Sequence, residues 1–129
     1  MFNSKELQEL DFTIAAQIEA RHAKGTQISN DIIALEKRIR SLPITYYKEI
    51  VHETPLINDV IQRESLSWAA DKHGNKRIIY DCYKLHPNGS TEIVYRNSLS
   101  EVPLQIRLES ENFLPIFYKG LLESLKKEI

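Results

Sequence analysis

Apolar residues recur at helical spacing from the start of the chain. Leu7, Leu10, Ile14 and Ile18 form one stripe, and Ala15, Ala16, Ala20 and Ala23 add intrinsic helix preference. With Asn3 or Ser4 as cap and Glu6 early, residues 3–24 are predicted helical. A second helical stripe, Ile32, Leu35 and Ile39, covers about 29–41, with Ser29, Asn30 or Asp31 near its start. Lys37, Arg38 and Arg40 suit the negative end of its dipole, and Pro43 closes it.

The two stripes share a register. Alternating steps of four and three from Leu7 reach Asp11, Ile14, Ile18, Arg21, Gly25, Ile28, Ile32, Leu35, Ile39 and Leu42. Eight of these eleven positions are large aliphatics, which is the pattern of a coiled-coil seam. The breaks at Arg21 and Gly25 leave two structures open over about 3–42. One is a helical hairpin turning at Gly25; the other is a single long helix whose seam a partner must cover. Glycine costs only about 1 kcal/mol inside a helix, so the register survives it.

Beyond Pro43 the pattern weakens, then changes period. Thr54–Pro55 followed by Leu56, Ile57, Val60 and Ile61 predicts a short helix at about 55–64. Residues 65–71, 76–85 and 90–97 read as strands, the second rich in Ile and Tyr, with a turn at 72–75. Pro87–Asn88–Gly89 is the clearest turn and sets Lys84 opposite Glu92. Val102, Leu104, Ile106 and Leu108 alternate with polar positions and predict a fourth strand, on an edge because of Pro103; a short helix is the alternative. A last amphipathic helix is expected over about 112–128, capped by Asn112, with Phe113, Leu114, Phe117, Leu121 and Leu125 on its stripe. Pro115 then falls in its first turn, and Lys126 and Lys127 complement its C-terminal end. The expected class is therefore α+β, as one domain spanning 1–129. Within it an antiparallel meander of three or four strands occupies about 65–109, and residues 1–42 are a candidate protruding arm.

Composition narrows the function. At 129 residues the chain is of single-domain size, and 42% hydrophobic with 27% charged residues is an ordinary globular mixture. A formal net charge of −1 provides no global attraction for phosphate backbones or anionic membranes. Met1–Leu10 lacks the apolar core of a signal peptide and no run reaches membrane-spanning length, so a cytoplasmic protein without membrane contact is expected. The single cysteine, Cys82, excludes an intramolecular disulfide and reads as a buried structural thiol.

Candidate chemistry is sparse. His52, His73 and His86 match no ligand spacing, and ten extended residues hold His73 and His86 roughly 30 Å apart. Cys82 and His86 lie about 13 Å apart along a strand, too far for a nucleophile–base pair. The glycines are isolated, so no phosphate-cradling loop exists. No metal, cofactor or catalytic residue is expected. A small enzyme centred on Cys82 or His52 ranks last.

Two functions from different classes remain. The first is a non-enzymatic interaction module, an accessory, adaptor or inhibitor-like factor. It would self-associate as a dimer, or bind another protein, through Leu7, Ile14, Ile18, Ile28, Ile32, Leu35 and Ile39. The alternative is a nucleic-acid accessory protein in which Trp68, Arg77, Tyr83, Tyr95 and Arg96 stack bases and hold phosphates. Strand aromatics with solvated charges are the bland explanation of the second set.

Overall fold

The computed structural model describes residues 4–128. Helix α1 runs unbroken from Ser4 to Arg40 over 37 residues. Strands β1 (Tyr47–Pro55), β2 (Ile61–Ala70), β3 (Lys76–Leu85) and β4 (Thr91–Ser98) follow, then helix α2 (Leu104–Glu128). Short 3-10 turns at Ile57–Asp59 and Leu99–Glu101 link β1 to β2 and β4 to α2. The strands form one antiparallel sheet in the order β1-β2-β3-β4. The protein is thus α+β with an antiparallel meander. The suggested Asn3 cap lies outside the described residues.

The Pro87–Asn88–Gly89 turn forms as its residues dictate. Gly89 adopts φ 86°, and Gly89 N–H and His86 N–H donate to the carbonyls of His86 and Ser90, each at 2.9 Å. Lys84 faces Glu92 across the hairpin. Several other elements differ from expectation. The segment expected as a helix at 55–64 is instead the junction of β1 and β2, and β1 is the meander's first strand. Its alternation is masked by a bulge between Ile50 and His52 that places Val51 out of step. Where the sequence predicts a fourth strand or a short helix over 102–109, Val102 and Pro103 lead into α2 and residues 104–109 are its first turns, with Pro103 accepting from Arg107 N–H at 3.1 Å. Helical spacing wins there because Ile106 and Ser110 continue the stripe of Phe113, Phe117 and Leu121. Pro115 consequently sits in the helix interior, where the carbonyl four residues back belongs to exposed Glu111 and can turn to water.

Both helices pack on one face of the sheet, over Leu66, Trp68, Ile78, Tyr80 and Cys82. From α1 the core receives Ile28, Ile32 and Ile39; from α2 it receives Phe113, Phe117 and Leu121. Gly25 is the point where α1 meets α2. A Cβ there would overlap Leu104 Cδ1, so glycine marks a close helix approach and no turn. The hairpin alternative is replaced by a single helix for that reason.

Glu36 anchors the far end of α1. Its side chain is 1% exposed, and Oε2 accepts from Arg77 Nε at 2.9 Å and from Ile78 N–H at 2.7 Å. Arg77 also donates to Ser100 Oγ at 2.6 Å, joining helix, strand and the β4–α2 turn. Nearby, Arg40 reaches Lys76 carbonyl at 2.8 Å and lies 5.9 Å from the Trp68 ring centroid.

Two substitutions test this packing. Gly25→Leu is expected to lower unfolding free energy by about 1–3 kcal/mol, as overpacked sites do. Glu36→Ala leaves Arg77 and the Ile78 N–H without their acceptor, and a loss of about 3 kcal/mol is expected. Urea denaturation measures both; an unchanged midpoint in either variant contradicts the corresponding contact.

Candidate functional site

The described residues before Gly25 are all exposed. Toward its inner end this segment is tied to α2 at Arg21, which donates to the Gln105 side chain, and at Lys24, 3.2 Å from Glu111. Ser29 then accepts from Arg107 at 2.9 Å and donates to Ser100 carbonyl at 3.3 Å. Residues 4–20 therefore project as an arm, about 25 Å long at 1.5 Å per residue. Along it Leu7, Leu10, Ile14 and Ile18 are 48%, 46%, 52% and 52% exposed.

The geometry divides the seven seam positions named from sequence. Leu7, Ile14 and Ile18 lie on the arm. Ile28, Ile32 and Ile39 are buried in the protein's own core, and Leu35 packs against it. Leu10 joins the exposed group. Steps of four and three pass over it to Asp11, although the Leu7–Leu10–Ile14 spacing marks it as part of the same face. At about 100° per residue, Leu7, Leu10, Ile14 and Ile18 span an arc of about 80°. Gly25, Ile28, Ile32, Glu36 and Ile39 occupy the same arc. The exposed stripe is the outward continuation of the buried one.

The five residues named as a nucleic-acid face are not brought together. Trp68 is buried beneath the helices, and Arg77 is committed to Glu36. Tyr95 packs on Tyr80, with ring centroids 6.2 Å apart, on the helix-covered face. Tyr83 and Arg96 lie on the opposite face in successive rows, Glu53–Arg63–Tyr83–Ile93 and Ile50–Ser65–Asp81–Arg96. There the Lys48 ammonium sits 4.9 Å from the Tyr83 centroid, and Arg96 Nε lies 3.5 Å from Asp81 Oδ1. Both are held by their neighbours.

Other groups are placed for structure. Burial, then the Glu64 charge, pushes the Cys82 thiol up, so a thiolate is disfavoured. His52 stacks on Phe113, with centroids 6.4 Å apart. Tyr80 donates its hydroxyl to Glu64 at 2.5 Å, and burial raises its phenol. Among the described residues no group of three or more His, Cys, Asp or Glu is arranged to hold a metal ion. No helix among them is long and apolar enough to cross a membrane.

Among the described residues, two clefts on the body carry polar side chains. One, of about 570 Å³, lies beside the β2–β3 turn between Asp71, His73, Arg77 and Arg96. In it Asp71 accepts from the backbone N–H groups of His73 and Asn75, each at 2.9 Å. The other, of about 550 Å³, lies between β1 and α2, lined by Val51, His52, Glu64, Phe113 and Ile116.

No family model matches the chain, and neither a curated protein nor a solved structure does.

The opposite sheet face has one electrostatic consequence. Burial raises the Asp81 carboxyl above the usual carboxylate range, and Arg96 and Lys48 offset this only in part. The folded protein thus holds this proton more tightly than the unfolded chain. The group's contribution favours folding below the ordinary aspartate range and is lost as pH rises through the raised value. Asp81→Asn is therefore expected to raise the thermal midpoint at pH 7, with the gain vanishing by about pH 3, below the ordinary aspartate pKa. A midpoint at pH 7 below that of the unmodified protein means that the Arg96 pairing outweighs the burial.

Proposed function

We propose that the protein is a non-enzymatic interaction module that self-associates through the α1 arm, in the manner of an accessory, adaptor or inhibitor-like factor. One observation carries this reading: four half-exposed aliphatics share one face of a helix, and none of them is buried by the described residues. Apolar surface gathered in this way on a soluble protein marks an association site.

Physical chemistry supports it from two directions. A helical arm of this length with no tertiary support is marginal in water, because propensity alone barely offsets nucleation. Covering the stripe with another helix supplies the missing stabilisation, on the order of 1 kcal/mol for each half-exposed aliphatic buried. A second copy brings a stripe of the same width and spacing, and a net charge of −1 per chain opposes the encounter very little. The α+β body, anchored through Glu36, then presents its clefts and sheet to other proteins.

Sedimentation of the full chain tests the reading. A dimer is expected at tens of micromolar, and the double variant Ile14→Lys with Ile18→Lys should be a monomer with an unchanged thermal midpoint for the body. An unmodified protein that stays monomeric there, or a double variant that stays dimeric, refutes association through the arm.

A further inference from the structure

We propose that the cleft beside the β2–β3 turn binds a small anion of the phosphate-monoester class. Its residues all belong to the body, so the site does not depend on association through the arm.

The floor of the cleft follows from the sheet register. Ile79 and Ser98 face each other across β3 and β4, one row on from Asp81 and Arg96 and on the same side, away from the helices. Both line the cleft and both are buried, Ser98 with 5% of its surface exposed. The Ser98 N–H donates to Asn97 Oδ1, whereas its hydroxyl has no partner among the described residues. Leaving a buried hydroxyl unbonded is costly, so this end of the cleft favours a polar occupant.

Lys72, Arg77 and Arg96 line the same space. Glu36 and Ser100 take Arg77 Nε and Nη2, which fixes the guanidinium plane, and no described residue accepts from Nη1. Arg96 approaches Asp81 only through Nε, at 3.5 Å, and Asp81 Oδ1 takes no hydrogen bond. Both Arg96 amino groups are therefore unengaged, and Lys72 is exposed without a partner among the described residues.

Two acids oppose these cations. Asp71 Oδ1 is taken up by the His73 and Asn75 N–H groups, and exposed Glu101 acts on Arg77 through its charge without a hydrogen bond. With Glu36 offsetting Arg77, formal charge is nearly balanced and open hydrogen-bonding capacity decides the ligand. That capacity is mostly donors: Arg77 Nη1, the Arg96 amino groups, the Lys72 ammonium and the Ser98 hydroxyl. Guanidinium donors held in place match phosphate, whose oxygens accept several charged hydrogen bonds at once. A volume of about 570 Å³ exceeds a phosphate group and leaves room for the small organic group it carries.

Amide chemical shifts of the full chain test the site, followed on titration with inorganic phosphate and separately with glycerol phosphate at constant ionic strength. Saturable shifts are expected for both probes at residues 71–73, 77 and 96–98. Arg96→Ala should weaken binding about tenfold, as loss of one charged hydrogen bond does. Glu101→Gln should tighten it by about two- to fivefold, the range for one exposed charge removed. Arg38→Ala, exposed on α1 and outside the cleft, should bind like the unmodified chain. The two cleft side chains are solvent-exposed, so both variants should keep the amide spectrum of the folded body. No saturable shift at tens of millimolar of either probe overturns the proposal. So does an Arg38→Ala loss equal to that of Arg96→Ala, or a Glu101→Gln variant that binds more weakly. Shifts with inorganic phosphate alone overturn the monoester assignment.

Discussion

The rotation of α1 about its own axis is fixed by the buried Glu36 carboxylate, which accepts from Arg77 and from the Ile78 N–H. A buried acid satisfied by two donors in fixed positions tolerates little displacement, because an unpaired charge in that environment costs several kcal/mol. Ile32 and Ile39, one turn either side, are then held against the sheet layer. Every other position on the helix inherits its direction from this contact, the arm included. The exposed stripe faces the side on which the body lies because it is the same stripe.

Gly25 divides the two uses of that face. Before it the described side chains are exposed; from it onward the stripe meets Leu104 and the core. Its missing side chain lets α2 approach, and Arg21, Lys24 and Ser29 tie the crossing on either side. The buried core thereby takes no side chain from residues 4–24. Residues 4–20 are helical in continuity with that anchored segment, and their aliphatics are exposed.

Much of this was legible in the amino-acid order, and the failures have physical causes. The Pro87–Asn88–Gly89 turn and the Lys84–Glu92 pair stand as read, because a positive φ and a two-residue strand period are strong local constraints. The continuous register from Leu7 to Leu42 was visible too. Whether Gly25 marked a turn or a close approach depended on Leu104, nearly eighty residues away, and no local pattern carries that. The Val51 bulge hid β1 by breaking its alternation, and Thr54–Pro55 imitated a helix start. At 102–108 a short stretch of alternating residues happened to fit both periods. Helical packing of Ser110, Phe113 and Phe117 decided it. The two-residue strand period already divides Trp68, Tyr83 and Tyr95 between two faces, and the structure adds that Trp68 is buried.

Backbone amide hydrogen exchange, followed as a function of protein concentration, tests the central claim most directly. A helix without tertiary cover opens readily, so its protection reports whether the stripe is buried. The account predicts fast exchange over residues 5–18 in dilute solution and strong protection as concentration rises, with the amides of β2 and β3 protected throughout. Arm amides that exchange equally fast at every concentration, or that are already protected when the protein is a monomer, would contradict it.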